Sequence, residues 1–353
     1  MLGLNSVGYD PHPFFALISE AKVNSSTYWG SLAEIYTAIS EGLSSPKTSA
    51  EMLSISGWAF LNKMFDKETL ACLLGARFRL EKTGLNNNPL AFLILSRMLD
   101  YCCFSATDGI YKAPTSKKHA FTSDQALGKI MDTLREDTIE ALSGSRDCQI
   151  ICRSSESMNE LRSDSVDLVV TSPPYLNNFD FAEMTRMYLY FWRMADSWSE
   201  ITSEVRSKLV VNTTTALKGQ KPIQQNYRNT LPYSVRLEAD EAVLLLQAKR
   251  AEKTGKKEYD YLVYPYLSQM QSVVRECSRV LKPEGAFHMI VSDAALYGIH
   301  LPAPQWLAEI MKCNGFKDVE CDMMRPRGHR WILDKREGSE KGLGEYYVFG
   351  RAV

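Results

Sequence analysis

Three short runs of apolar, mostly β-branched residues set the fold class of this chain. They lie at residues 148–152, 166–171 and 286–292, and each is bounded by polar or turn residues. Continuous apolar runs of this length are typical of parallel strands that are buried on both faces. The sequence therefore predicts a sheet in which these three runs are central parallel strands.

Helical periodicity fills much of the remaining chain. Residues 28–143 are predicted to be a helical insertion, because apolar residues recur at three- and four-residue spacing in 58–65, 70–80 and 89–104. A second long insertion is expected at 180–265. After the last apolar run we expect a helix and two strands, near 304–313, 317–323 and 345–349. These elements together predict a doubly wound α/β domain with helical insertions.

A polar end to the first strand marks a candidate nucleotide site. Residues 4–10 form a short predicted strand that ends in Asp10, and Pro11 then leads into an apolar helix over 14–23. A carboxylate at the end of a strand that precedes a helix is an arrangement that binds nucleotide ribose hydroxyls. Asp10 and Pro11 are therefore candidate cofactor-binding residues.

Composition narrows the class of protein. The 353 residues include 41 basic and 42 acidic side chains, so any contact with nucleic acid must come from locally concentrated charge. The eight cysteines have no zinc-ligand spacing and the five histidines are scattered, so no metal site is predicted. No signal peptide and no long apolar span is present, which favours a cytoplasmic protein without membrane contact.

The strongest motif is the segment Asp167-Leu-Val-Val-Thr-Ser-Pro-Pro-Tyr175, in which a predicted strand runs directly into Ser172-Pro173-Pro174-Tyr175. An aryl amine is a poor nucleophile, and the Ser172 hydroxyl and Pro173 carbonyl are acceptors that would favour its nucleophilic form. Pro173 and Pro174 fix two φ angles and so hold these acceptors rigidly. Tyr175 provides a ring on which an extruded base can stack. The alternative is a strand end followed by a core aromatic residue, and the preceding polar residue favours the functional interpretation.

Candidate substrate contacts follow the motif. Asn177, Asn178 and Phe179 are expected to line the base pocket, although they could equally cap the next helix. The basic segment, residues 206–257, carries eleven basic side chains against four acidic ones. Arg206, Lys208 and Arg228 lie in its first part, 206–236, where we expect contact with DNA phosphates. A second basic cluster could bind phosphate or decorate a turn, and consists of Arg325, Arg327, His329 and Arg330.

These motifs resemble those of the amino-group DNA methyltransferases, whose catalytic motif is Asp, Asn or Ser followed by Pro-Pro-Tyr or Pro-Pro-Phe. The resemblance implies a Rossmann-like class I fold over 1–353, S-adenosylmethionine as cofactor and double-stranded DNA as partner. It also implies a target-recognition region in 180–265, and transfer of a methyl group to cytosine N(4) or, less favoured, adenine N(6). Ser278–Gly285 and the following residues, up to Asp293, are similar to the family's fifth strand, which makes Asp293 a candidate cofactor contact.

Two departures from the family pattern concern the cofactor. The Phe-x-Gly-x-Gly loop and its strand, expected just before residues 4–10, do not occur in the sequence, so the first strand of the fold is predicted to be missing. An N-terminal truncation is favoured over a split enzyme whose second chain supplies the loop. The acid expected near the adenine is also displaced, and Ser155 and Glu156 are the nearest candidates.

Three functions are compatible with these motifs. The first is a DNA methyltransferase of a modification or restriction-modification system. The second is an RNA or protein amide methyltransferase, against which Ser172 and the basic segment argue. The third is a catalytically incomplete DNA-binding subunit that has lost the cofactor loop.

Overall fold

Helical and strand segments form two packed units in the computed structural model of the protein. The structure describes residues 4–48, 52–108, 111–141, 147–217, 223–252, 257–327 and 342–353. The first unit comprises Met1–Arg153 and Phe181–Lys208, and the second comprises Ser154–Asp180 and Leu209–Val353. The predicted 180–265 insertion is therefore divided between the two units.

The elements agree closely with the predicted pattern. The α-helices are α1 Pro13–Val23, α2 Ser25–Tyr28, α3 Leu32–Leu43, α4 Ile55–Leu61, α5 Lys67–Thr83, α6 Pro89–Cys102, α7 Ser123–Ala141, α8 Phe181–Met184, α9 Arg186–Phe191, α10 Trp198–Glu200, α11 Gln224–Thr230, α12 Tyr233–Glu252, α13 Val263–Val280 and α14 Ala303–Cys313. The strands are β1 Ser6–Tyr9, β2 Ser105–Asp108, β3 Tyr111–Lys117, β4 Cys148–Ile151, β5 Val166–Thr171, β6 Leu281–Ser292, β7 Ala294–Leu296, β8 Ile299–Leu301, β9 Phe316–Arg327 and β10 Leu343–Ala352. Short 3-10 or π turns occupy Trp29–Ser31, Leu85–Asn87, Ile201–Val205, Arg206–Lys208, Thr214–Leu217 and Tyr259–Tyr261.

The first unit is built on helices whose ends are capped. Asp66 begins α5 by accepting the Thr69 amide at 2.8 Å, and Gly84 ends it with a φ of 75° that glycine adopts without strain. Helices α3 and α5 cross closely, because a Cβ at Gly42 would lie 2.4 Å from the Ala76 Cα. Helices account for most of the described residues in the range 28–143, but β2 and β3 form an antiparallel hairpin inside it, which the helical periodicity did not indicate.

Two strands of the first unit form a small parallel sheet. Strand β1 pairs with β4 in parallel, with Ser6 opposite Cys148 and Tyr9 opposite Ile151. Residues 148–151 thus form a parallel pair with β1, but the expectation that they are a central strand of one sheet with 166–171 and 286–292 is not supported, because among the described residues β4 pairs with β1 alone. The next amide, that of Asp10, continues the ladder by donating to the Ile151 carbonyl at 3.1 Å. Asp10 consequently stands at the carboxyl end of β1, as the sequence predicts.

The second unit contains a four-stranded sheet in the order β5-β6-β10-β9. Strands β5 and β6 are parallel, and β10 is antiparallel to both of its neighbours. The expectation that β5 is a buried central strand is wrong. Among the described residues β5 pairs with β6 alone, and Leu168 and Val170 are 46% and 68% exposed. An apolar run fits a central strand, but burial also requires a neighbour on each side, which β5 does not have here.

Amphipathic helices cover the second sheet. Helix α13 leads directly into β6, and α14 packs against β9 and β10. The helix and the two strands predicted after residue 292 are all present, as α14, β9 and β10. The molecule is therefore mixed α/β, with a central sheet and many helices. Within the described ranges, no helix has both the length and the apolar character needed to cross a membrane.

Candidate functional site

The proline turn, Ser172–Tyr175, follows the last residue of β5. Thr171 is opposite Met289 of β6, so the turn leaves the sheet at the carboxyl end of two parallel strands. Ser172 is exposed, Pro173 is buried and Tyr175 is part-buried. The turn therefore presents a polar side chain to solvent on a rigid backbone, at the edge where open α/β sheets bind ligands.

A hydrogen-bonded loop follows the proline turn. The Asn177 amide donates to the Tyr175 carbonyl at 2.8 Å, and the Asn177 side chain accepts from the Phe179 amide at 3.2 Å. Asn178 adopts a φ of 61°, and its side chain accepts from the Thr214 amide at 2.9 Å. The Asn177 and Asn178 side-chain oxygens thus hold backbone groups of the loop, which restrains the segment that carries Phe179.

The hydroxyl of Tyr175 is tied to β10, at the same end of the sheet, where Glu345 is opposite Ser292 of β6. It donates to Glu345 Oε1 at 2.8 Å, while Glu345 Oε2 accepts from Arg325 Nε at 2.5 Å. The guanidinium of Arg327 lies 5.2 Å from the centre of the Tyr175 ring. Burial and the hydrogen bond to Glu345 raise the pKa of Tyr175, and the bond from Tyr175 lowers the pKa of Glu345. Tyr175 is therefore a neutral donor over the physiological pH range.

Asp293 follows β6, and its carboxylate is buried and bonded to other parts of the protein. Its side chain is fully buried, with Oδ1 accepting from the Gly344 amide at 2.7 Å and Oδ2 lying 2.8 Å from His300 Nε2. Both carboxylate oxygens are thus engaged in linking β6 to β8 and β10. The predicted cofactor contact at Asp293 is not supported, because a buried and bonded carboxylate has no surface for a ligand.

Asp10 lies at the carboxyl end of β1, as predicted, and its carboxylate accepts a hydrogen bond from the backbone. Its Oδ1 accepts from the His12 amide at 2.8 Å, and burial raises the pKa of Asp10. His12 caps α1, and its Nε2 lies 2.7 Å from Thr185 Oγ1. Burial lowers the pKa of His12 to about 4, so the ring is neutral near pH 7. Pro11 lies between these two residues and is part-buried.

Ser155 and Glu156 belong to the second unit. Both are part-buried, and Glu156 Oε1 accepts from Ser154 Oγ at 3.1 Å. Burial raises the pKa of Glu156, and Glu156 in turn contributes to a raised pKa of Tyr227. Glu156 and Tyr227 therefore lie within range of each other's electrostatic influence, although they are far apart in the sequence.

The three basic side chains predicted to contact DNA all have partners within the protein. Arg206 is only 1% exposed and donates to Thr202 Oγ1 at 2.5 Å, with its guanidinium 4.7 Å from the Trp198 ring centre. Because a buried guanidinium cannot reach a phosphate, the predicted DNA contact at Arg206 is not supported. Lys208 is exposed and lies 3.4 Å from Glu204. Lys218, Lys221, Lys253 and Lys256 lie outside the described residues, as do His329 and Arg330 of the second basic cluster.

Arg228 is committed to an acidic partner. Its Nε and Nη2 donate to the two oxygens of Asp240 at 2.7 and 2.5 Å, and Tyr264 donates to the same carboxylate at 2.8 Å. The hydrogen bond from Arg228 holds the pKa of Asp240 below its ordinary value. A bidentate pair of this kind offers little of its charge to DNA.

Sequence patterns did not reveal Glu345 or His12 as site residues. Each acts through a contact with a residue distant in the chain, Tyr175 and Thr185 respectively. The available signal was weak, namely an acid in the last strand and a histidine between two prolines. Among the described residues, no cluster of His, Cys, Asp and Glu side chains is arranged to hold a metal ion.

The chain is similar to bacterial Type II methyltransferases. It is 21% identical over 287 residues to Type II methyltransferase M.AvaI of Nostoc sp. and to M.AvaI of Anabaena variabilis, covering 75% of this chain and 58% of the relative. It is 24% identical over 392 aligned positions to Type II methyltransferase M.BsoBI of Geobacillus stearothermophilus, covering 98% of this chain and 74% of that relative. The chain thus spans little more than half the length of M.AvaI, 58%. No family model and no solved structure matches the chain.

Proposed function

We propose that this chain is the catalytic part of a DNA methyltransferase that modifies the exocyclic amine of cytosine at N(4) or, less favoured, adenine at N(6), in a modification or restriction-modification system. The observation that carries the proposal is the proline turn, which follows β5 at the carboxyl end of the parallel pair β5–β6. The similarity to Type II methyltransferases supports it.

The residues of the proline turn have distinct roles in this proposal. Ser172 Oγ and the Pro173 carbonyl accept hydrogen bonds from the target amine and favour its pyramidal, nucleophilic form. Pro174 keeps these acceptors in place, and Tyr175 stacks on the extruded base. Phe179 and the restrained Asn177 and Asn178 border the base pocket.

The cofactor in this proposal is S-adenosylmethionine, which when bound supplies an electrophilic methyl group. The chemistry of Asp10 fits the group, because a carboxylate at the end of a strand accepts hydrogen bonds from ribose hydroxyls. Its Oδ1 already receives the His12 amide, so Oδ2 is the oxygen that we assign to the ribose. Pro11 shapes the backbone beside it, and Ser155 and Glu156 are proposed as adenine contacts.

We further propose that polypeptide outside residues 1–353 supplies the Phe-x-Gly-x-Gly loop and its strand, either as part of a longer chain or from a second chain. Support comes from β5, which has β6 as its sole strand partner among the described residues and leaves Leu168 and Val170 largely exposed. Unpaired strand edges with exposed apolar residues readily accept another strand.

Because the chain alone is expected to bind the cofactor weakly, every assay of methyl transfer supplies the Phe-x-Gly-x-Gly segment, added or fused. The activity can then be tested with radiolabelled S-adenosylmethionine and three acceptors, namely duplex DNA, structured RNA and an amide-bearing protein. We expect label in DNA, with N(4)-methylcytosine after digestion to nucleosides and mass spectrometry. Label in RNA or protein instead would contradict the proposal and would favour the second candidate function, an RNA or protein amide methyltransferase.

The cofactor side needs its own measurement. We expect residues 1–353 alone to bind S-adenosylmethionine weakly in calorimetry, and to bind it tightly once a chain bearing the Phe-x-Gly-x-Gly segment is added or fused. Tight binding by residues 1–353 alone would show that another loop performs this role. DNA binding without methyl transfer under both conditions would identify a non-catalytic DNA-binding subunit.

A further inference from the structure

A β-bulge places Glu345 beside the proline turn. In the pairing of β10 with β9, Glu345 is opposite Arg325 but the next residue, Tyr346, is opposite Met323. Met324 is therefore the extra residue of the bulge, and its side chain is 55% exposed. Bulges of this kind redirect neighbouring side chains. Here Glu345 is 9% exposed, so its carboxylate is held inside the unit.

The backbone under Glu345 is fixed by the neighbouring strand. The carbonyl of Gly344 accepts from Ser292 Oγ at 2.7 Å, and its amide donates to the buried Asp293 carboxylate at 2.7 Å. A Cβ at Gly344 would lie 2.7 Å from Cε2 of Tyr346, so this close approach requires glycine. Glu345 thus belongs to a paired strand, so the backbone that carries its carboxylate is held by the sheet.

The two oxygens of Glu345 connect different partners. Oε1 receives the Tyr175 hydroxyl, and Oε2 receives Arg325. Arg325 is 71% exposed, so water screens much of its attraction and its main effect is to orient the carboxylate. The hydroxyl is the polar end of the Tyr175 ring, and the two prolines restrain the backbone end. Anchoring both ends fixes the direction of the long axis of the ring and so its place in the site, and the phenolic O–H, which prefers to lie in the ring plane, favours one orientation about that axis.

We propose that Glu345 is a positioning residue, which holds the Tyr175 ring in place so that an extruded base finds a preformed stacking surface. The proposal rests on the proposed methyltransferase function, in which Tyr175 stacks on the target base. A ring that is already in place needs less ordering when the base arrives, so the benefit appears in the rate of the bound complex. The affinity for undistorted DNA is independent of Glu345.

The test is a double-mutant cycle on methyl transfer with Tyr175→Phe, Glu345→Gln, Glu345→Ala and the Tyr175→Phe/Glu345→Ala pair. Tyr175→Phe keeps the ring and removes its polar end. We expect each of Tyr175→Phe and Glu345→Ala to lower kcat by about 10-fold to 100-fold with an unchanged KM for S-adenosylmethionine, and the pair to be no slower than either. Glu345→Gln retains one acceptor and should recover part of the rate. Glu320→Ala, an exposed acid on β9, is the matched control.

Two results would overturn the proposal, namely an unchanged kcat in Glu345→Ala or multiplicative losses in the pair. A thermal unfolding cycle of the same variants tests the contact without activity, and we expect non-additive midpoints. Additive midpoints would show that Tyr175 and Glu345 do not interact in solution, whether or not the protein transfers methyl groups. A wild-type protein that transfers no methyl group even with the Phe-x-Gly-x-Gly segment added or fused, but whose unfolding cycle is non-additive, contradicts the proposed function and leaves the contact intact.

Discussion

The proline turn and the basic segment were both predicted to contact substrate, but the environments of their side chains differ in the folded protein. The turn keeps its polar group outward, with Ser172 exposed beside the buried Pro173. In the basic segment Arg206 is buried and Arg228 forms a bidentate pair with Asp240, whereas Lys208 is exposed. The proline turn was predicted from four consecutive residues. The basic segment was predicted from a count of charged residues, and that count does not show which of them form ion pairs within the protein.

The difference shows what a proline motif and a count of charged residues can each predict about the folded protein. Two prolines constrain their own backbone wherever the chain places them, so the geometry of the turn is intrinsic to the sequence. A net charge describes a surface only if the charged groups reach it. In this protein Trp198, Thr202 and Asp240 bind guanidinium groups that the charge count assigned to DNA.

The largest effect expected from this comparison comes from the turn. Ser172→Ala and Tyr175→Ala should each lower kcat for methyl transfer by about 10²-fold to 10³-fold, because each removes a group that acts on the positioned amine or base. The affinity for DNA should change far less. Steady-state kinetics and a binding titration check this, with Ser165→Ala at the other end of β5 as the control. A fall in affinity that matches the fall in rate would contradict the assigned roles.

Much of the fold could be predicted because its signals are local. The ends of α1, β5 and α14 follow from prolines and apolar runs, and the position of Asp10 follows from the end of a strand. The edge position of β5 could not be predicted, because an apolar run does not specify how many neighbours a strand has. The helical insertion contains an unexpected hairpin for a similar reason, since β2 and β3 are stabilised by pairing with each other.

The candidate site could be predicted only in part. Ser172 and Tyr175 were found from the motif, but the hydrogen bond from Tyr175 to Glu345 joins residues 170 positions apart. No local pattern indicates such a contact, and the bulge that creates it arises from strand register. Asp293 shows the converse, because its position at a strand end resembles a ligand site while its oxygens already bind Gly344 and His300.

Arg206 allows the comparison to be tested in the basic segment. Arg206→Ala should destabilise the protein by about 2 kcal/mol, because it removes a buried stem, a contact with Trp198 and a hydrogen bond to Thr202. Arg206→Met, which keeps the stem, should cost less. Chemical denaturation measures both, and the salt dependence of DNA binding should be the same as in the wild type. A shallower salt dependence would mean that Arg206 reaches phosphate after all.

Arg228 should show a smaller effect with a distinctive pH dependence. Its hydrogen bond lowers the pKa of Asp240 below the ordinary 3.8, so the pair stabilises the folded state above that pH and the benefit is lost as the pH falls through the lowered pKa. We therefore expect Arg228→Ala to have a lower melting temperature than the wild type at pH 7, and the difference to shrink towards pH 3. An equal difference at both values would show that packing, and not charge, holds the pair.

Substitution of Lys208 should give the smallest effect. It tests whether any residue in the first part of the basic segment, 206–236, contacts DNA. The side chain of Lys208 is 54% exposed and that of its partner, Glu204, is 59% exposed, so the ion pair at 3.4 Å is weak and can be exchanged for a phosphate. Each phosphate contact makes the slope of log K against log salt steeper by about 0.9. Lys208→Ala should therefore flatten the slope by about that amount with no loss of stability, whereas Glu204→Ala should leave the slope intact and tighten binding slightly. An unchanged slope in Lys208→Ala would remove the last predicted phosphate contact of this part and would place DNA binding elsewhere on the protein.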